Sequence, residues 1–172
     1  MLVKAETFRA ARDGWQGMSP QYSAFLDLLI TCRELGYNMC WQQHNYDRYA
    51  SLPEWAQRTL VAHSFDPRQY HYETYEFKAA ATYDDLWNSA QTQLVQEGRM
   101  HNYLRMLLRK KSLEWSAFPR DALTTIVHLT SKYSVDGRNP NSCSGIIRMH
   151  GRYDRAWGPE RPAFVKGSIH EQ

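Results

Sequence analysis

The side chains best able to do chemistry are concentrated between Asp84 and Trp115, with two smaller groups outside that stretch. Within it, Arg99, Arg105, Arg109, Lys110 and Lys111 form a basic run beside His101 and Asn102. Cations at this density either face phosphate or make a solvated helix face, and the run leaves both readings open. His101 is a candidate for proton transfer, although a structural hydrogen-bonding role is the simpler reading. Arg148 and His150 form a second group, able to bind an anion or relay a proton. The third contains Cys32, whose thiol is a nucleophile only if it is exposed and its pKa lowered; otherwise it is a small apolar core group. The adjacent Arg33 and Glu34 read as an ion pair between helices.

Other chemistries find little support. The three cysteines, Cys32, Cys40 and Cys143, are odd in number and lack zinc or disulfide spacing, so no metal site is expected and a reducing, cytoplasmic setting is. No apolar run approaches the ~18 residues of a membrane span, and the first residues do not read as a signal peptide. A net charge of +3 is too small to demand a nucleic-acid partner. With 172 residues, 13% of them aromatic, the chain has the makings of one well-packed domain.

The elements that must position these groups read as helices. Residues 4–13 have helical character and form an appendage ahead of Ser19-Pro20, a helix-start signal. From Tyr22, the spacing of Phe25, Leu26, Leu29, Cys32 and Leu35 predicts an amphipathic helix ending near Gly36. An aromatic loop follows from Trp41. Leu52-Pro53 then opens a helix with Trp55, Leu60 and Val61 on its apolar face, and residues 72–81 form a short one. Asp84 and Asp85 cap the first of two central helices, which are separated at Gly98. Pro119 starts a helix to about Tyr133, with Ala122, Leu123, Ile126, Val127 and Leu129 as its stripe. The chain beyond reads as irregular, because Asp136-Gly-Arg-Asn-Pro-Asn-Ser is turn chemistry and the stretch from Asp154 is rich in Gly and Pro. With no β-alternation of useful length, the fold class is all-α.

Several strings in order carry a more specific signal. Asp84-Asp-Leu-Trp-Asn-Ser-Ala-Gln, Glu97-Gly-Arg-Met-His-Asn-Tyr-Leu-Arg-Met, Lys110-Lys-Ser-Leu-Glu-Trp, Asp136-Gly-Arg-Asn-Pro-Asn-Ser and Gly151-Arg-Tyr-Asp-Arg-Ala-Trp-Gly-Pro-Glu-Arg-Pro closely resemble the flavin-binding domain of class II cyclobutane pyrimidine dimer photolyases. Upstream, Phe25-Leu-Asp-Leu-Leu-Ile-Thr-Cys-Arg-Glu-Leu and Pro53-Glu-Trp-Ala fall in the same order. The resemblance covers roughly residues 23–167. It implies the C-terminal part of the photolyase/cryptochrome FAD-binding helical domain, over residues 21–172, behind a divergent segment 1–20. Family members hold FAD there, and the light-excited reduced flavin passes an electron to a pyrimidine dimer in DNA. Neither the preceding Rossmann-like antenna domain nor the Ser-containing loop around the flavin phosphates is expected here; Ser19-Pro20 matches that loop poorly.

The resemblance assigns roles residue by residue. Arg105 and Asp136 match the ion pair over the flavin ring, and Asn102 stands where this class usually has Gly. Thr130 replaces an Asn beside flavin N5, which removes an amide responsive to the ring's protonation. Trp87 and Trp115 match two of three electron-relay tryptophans, while the third, nearest the flavin, is Leu108. The dimer-facing Glu and two Trp positions are Leu28, Cys32 and Arg148. Losing two stacking faces costs about 1–3 kcal/mol each.

These substitutions define the functional expectation: a photolyase-derived helical protein that has lost DNA photorepair and uses the former pocket for a different small-molecule reaction, biosynthetic or redox. Cys32, Asn38, His101, Asn102, Arg105, Thr130, Asp136 and Arg148 would line that pocket. Arg105 would hold an anionic or carbonyl group, Asp136 would orient it, and His101 would move a proton. FAD is a possible but doubtful cofactor, binding through Asn102, Arg105 and Asp136. The expected partner is a small molecule, DNA is disfavoured, and a second copy or another chain would cover the face left by the missing domain. The alternatives are a minimal FAD-dependent photolyase and a non-catalytic interaction module.

Overall fold

Local capping explains where the central helices begin and end. In the computed structural model, which describes residues 20–153, the Asp84 carboxylate accepts the Trp87 N–H at 3.0 Å, satisfying a donor that the first helical turn leaves unpaired. The helix it starts ends at Gly98, whose φ of +69° is the left-handed conformation that glycine adopts at least cost.

In chain order the helices are α1 (Pro20–Leu26), α2 (Cys32–Gln42), α3 (Glu54–Ala62), α4 (Thr74–Lys78), α5 (Asp85–Glu97), α6 (Asn102–Trp115), α7 (Pro119–Tyr133) and α8 (Pro140–Arg148). A π-helical turn, Asp27–Thr31, joins α1 to α2, and a 3₁₀ turn, Tyr49–Ser51, precedes α3. There is no strand among the described residues, so the fold is all-α.

Two apolar clusters hold these helices together, and α6 and α7 supply both. One joins Met39 of α2, Ala56 and Leu60 of α3, Leu113 of α6, Leu123 and Ile126 of α7, and Ile146 and Ile147 of α8. The other joins Phe77 of α4, Trp87 and Leu94 of α5, Leu108 and Trp115 of α6, and Leu129 of α7. The central pair therefore presents side chains to neighbours on more than one side, and cannot keep one wholly solvated face.

Three expectations require correction. The first long helix passes through Gly36 to Gln42; a Cβ there would lie 3.1 Å from Ser144 Cβ and 3.3 Å from Asn141 Cα, so this glycine permits close approach of α8 and is not a stop. Its apolar stripe is largely uncovered, with Phe25, Leu29 and Leu35 exposed and Leu26 buried. The segment after Asp136 contains a helix, α8, capped by the Asn139 side chain, which accepts the Asn141 N–H at 2.9 Å, with Pro140 at its first position. On α3, Val61 is 61% exposed and Ala56 is fully buried, because the face that meets the core lies one turn from Leu60 toward the N-terminus. Residues 4–13, Ser19 and the stretch from Asp154 lie outside the described residues.

Candidate ligand site at Arg105 and Asp136

The break at Gly98 does more than end α5. Its carbonyl accepts the Val135 N–H at 2.8 Å, tying the α5–α6 junction to the loop between α7 and α8. That loop folds through successive turns, with the Gly137 N–H donating to the Ser134 carbonyl and the Asn139 N–H to the Asp136 carbonyl, both at 3.0 Å. Gly137 is pressed against the end of α7, where a Cβ would come within 1.9 Å of the Thr130 carbonyl oxygen. Only a residue without a side chain fits there.

The result is a fixed carboxylate opposite α6. Arg105 Nη1 donates to Asp136 Oδ2 at 2.8 Å, and the Ser134 hydroxyl donates to Oδ1. The Arg105 hydrogen bond, assisted by Ser134, holds the Asp136 carboxyl below its ordinary range against the opposing effect of burial. Side-chain exposure is 20% for Arg105 and 51% for Asp136, so the pair is supported from behind and open in front.

Behind it lies a small space of about 20 Å³, lined by Arg105 and Thr130 together with Gln91, Met100, Leu108, Arg109 and Ser134. Gln91 is 1% exposed and its Nε2 is a buried donor without an acceptor. The signal for it in the sequence is its place between Trp87 and Leu94, on the apolar face of α5. Arg109, which the basic run places on a face turned to phosphate or to solvent, is 7% exposed. Burial, then the neighbouring Arg105 charge, pushes its guanidinium down to about 10.

The remaining candidates do not line this space. His101 is exposed, and its Nδ1 accepts the Tyr103 N–H at 3.3 Å, capping α6; Asn102 is exposed beside it. Cys32 is half-buried and Arg148 exposed. Asn38 is exposed, accepts the Gln42 amide at 2.7 Å and lines a separate open groove of about 830 Å³ along α2, with Tyr37, Cys40 and Trp41. His150 is 1% exposed; its Nδ1 faces the Ile146 carbonyl at 3.1 Å, and burial takes the ring down to about 4.

Trp87 and Trp115 are buried with ring centroids 6.3 Å apart. The Trp87 indole N–H donates to the Leu108 carbonyl at 3.4 Å, while Phe77 packs 5.2 Å from Trp87 and Tyr83 5.2 Å from Trp115. Two touching indoles can exchange an electron. Leu108, 5% exposed in the lining behind Arg105, is an alkyl group and adds no redox-active step on that side.

Among the described residues, the cavity beside the Arg105–Asp136 pair is too small to enclose a flavin ring. The space beside Arg105 and Asp136 holds about one water-sized group, and the lining of the larger groove on α2 contains no cation to meet a pyrophosphate. No cluster of three or more His, Cys, Asp or Glu that could hold a metal ion occurs among the described residues, and no helix among them is long and apolar enough to cross a membrane.

No family model matches the chain. Curated relatives do. The chain is 42% identical over 159 residues to the deoxyribodipyrimidine photo-lyase of Methanothermobacter thermautotrophicus, covering 92% of this chain and 35% of that protein. It is 40% identical over 151 residues to the protein of that name from Oryza sativa subsp. japonica, covering 87% and 30% respectively. With the Potorous tridactylus protein of the same name the identity is 38% over 143 residues, covering 83% and 27%. The chain thus spans about a third of the length of the curated relatives it matches.

Proposed function

Since this chain is homologous to a part of the deoxyribodipyrimidine photo-lyases, we propose that it is a photolyase-derived helical protein whose Arg105–Asp136 face holds a small-molecule ligand and serves a reaction other than DNA photorepair. One observation carries the reading. The pair is locked by Gly98, Ser134 and Gly137, yet half of the Asp136 side chain is open to solvent. A solvated ion pair contributes only about 0–1 kcal/mol to stability, so its enforced geometry supports a binding role.

In this role Arg105 directs its remaining N–H groups at an anionic or carbonyl oxygen, and Asp136 fixes the plane of the guanidinium. Thr130 adds a buried hydroxyl at the rear wall. Photorepair is disfavoured by Leu108 and by Leu28, Cys32 and Arg148, none of which supplies the indole or carboxylate expected from the resemblance. The biosynthetic or redox nature of the reaction is part of the same proposal, as is occlusion of the uncovered α1–α2 face by a second copy or another chain.

The decisive measurement is an absorption spectrum of the purified protein, followed by mass spectrometry of anything released on denaturation. A colourless protein carrying a small anionic compound is the expected result. Tightly bound FAD overturns the flavin-free reading, and light-dependent dimer splitting by this chain alone overturns the loss of repair. The released compound should no longer bind when Arg105 is changed to Ala. Unchanged binding to the folded variant refutes the site assignment.

A second reading has its own observation. The 6.3 Å contact between Trp87 and Trp115 favours a minimal FAD-dependent photolyase that obtains its other parts elsewhere. It requires yellow protein whose flavin absorbance bleaches on photoreduction.

A further inference from the structure

Arg109 stands one helical turn beyond Arg105 on α6, so the two side chains leave the same face of the helix. Arg105 reaches Asp136, whereas the Arg109 guanidinium has no hydrogen bond or ion pair with any described residue. It is nevertheless 7% exposed. Space for it comes from α8, where Gly145 lacks a side chain; a Cβ there would lie 3.0 Å from Arg109 Nη1 and 3.7 Å from both Cζ and Nη2. A buried cation without a counter-charge is among the costliest groups a fold can carry. The nearby carboxylate, Asp136, is already held by Arg105 and Ser134.

A second buried group in the same space lacks a partner. Gln91, on α5, presents its Nε2 without an acceptor, and lines the cavity of about 20 Å³ with Arg105, Arg109 and Thr130. Both unmatched groups are hydrogen-bond donors. A water molecule offers an acceptor but leaves the charge uncompensated, and a metal ion would be repelled by two guanidinium groups. An acceptor carrying negative charge satisfies both needs. The volume admits about one heavy atom with its surroundings, too little for a phosphate group.

We propose that this cavity is an anion site in which Arg109 and Gln91 bind one negatively charged atom, either a halide ion or the terminal oxygen of a carboxylate that enters past Arg105. The inference deepens the reading of the Arg105–Asp136 face as a ligand site and rests on it for the carboxylate source, but the halide source stands independently. It gives the ligand class as a compound with a slim carboxylate end, or a free halide acting as a structural ion.

Urea and thermal unfolding of the full chain, followed by tryptophan fluorescence, test the proposal with sodium chloride and sodium acetate as probes. Wild type is compared with Arg109→Met and Arg109→Lys, and with Arg58→Gln as a surface control, since Arg58 makes an exposed pair with Glu54. Arg58→Gln, which keeps the site, should respond as wild type does, and the response left in Arg109→Met measures the general effect of salt on stability. A saturable upward shift of the midpoint is expected for wild type with at least one probe. It should be absent from Arg109→Met and present with at least tenfold weaker apparent affinity in Arg109→Lys.

A response to chloride identifies a halide site, and a response to acetate alone identifies a carboxylate end. A flat wild-type response to both probes overturns the proposal, as does an undiminished response in Arg109→Met. Should Arg109→Met fail to fold, chlorine NMR line broadening and acetate calorimetry on wild type decide: binding of either supports the site, and binding of neither refutes it. Discovery of bound FAD would overturn the proposed function while leaving the chloride result intact. A flat salt response would leave the proposed function standing without this site.

Discussion

Acid should destabilise this protein at mild pH, through His150. Its ring is 1% exposed, with Nδ1 donating to the Ile146 carbonyl at 3.1 Å and Nε2 buried without a partner. Protonation would place a charge there with no acceptor, near the buried Arg109 cation. Burial is the main cause of the drop in pKa from 6.5 to about 4, and Arg109 adds to it, whereas the Ile146 hydrogen bond opposes it. The sign follows from linkage: the unfolded chain binds the proton more readily, so stability is full above about pH 6.5 and declines as pH falls toward 4. With the ring falling from 6.5 to about 4, and already half protonated in the folded chain at the lower value, the loss across that window comes to about 3 kcal/mol. Asp136 is lowered from an ordinary carboxylate value of 3.8, so its contribution is lost below this window and does not mask the effect. Urea titrations monitored by tryptophan fluorescence between pH 7.5 and 4.5 read the loss as a falling midpoint. His150→Leu removes both the titration and the orphaned nitrogen, and should flatten the profile while preserving the fold at neutral pH. A flat wild-type profile, or an equally steep one in His150→Leu, refutes the assignment.

Three further outcomes follow from single contacts. Gly36→Val, which drives a branched side chain into Ser144 and the Asn141 backbone, should lower stability by about 1–3 kcal/mol in urea unfolding. Gly137→Ala should displace the loop from the Thr130 carbonyl and separate Asp136 from Arg105; NMR titration would then show the Asp136 pKa returning upward toward its ordinary value. Asp84→Ala removes the cap on the Trp87 N–H and should cost about 1 kcal/mol, with a matching fall in the thermal midpoint.

What could be read from the sequence depended on whether the determining contacts were local. Asp84 caps a helix within its own first turn, and Gly98 ends that helix through its own φ; both can be inferred from neighbours in the chain. Gly36 has the same residue type as Gly98 and the opposite role, decided by Ser144 and Asn141 more than a hundred positions away. Asn139-Pro140 is ambiguous for a related reason. It satisfies a turn as well as a helix start, and only the burial of Ile146 and Ile147 against α2, α3 and α7 selects the helix. The meeting of Arg105 with Asp136 came from resemblance to a family, since nothing in their spacing brings them together.

Arg109 shows why a helical wheel misjudges a central element. Placed beside Arg105, Lys110 and Lys111, it has the appearance of a solvent face, and charge patterning normally supports that reading. On a helix enclosed by α5, α7 and α8, however, the face continuing from Arg105 turns inward within one turn, toward Gly145. The same geometry that leaves Asp136 open in front therefore buries a second guanidinium behind it. An outer arginine neutralised by a fixed carboxylate can select the orientation of a ligand without adding net charge. The inner one, unneutralised, supplies the attraction. Loss of Arg109 should consequently weaken binding at this face as loss of Arg105 does.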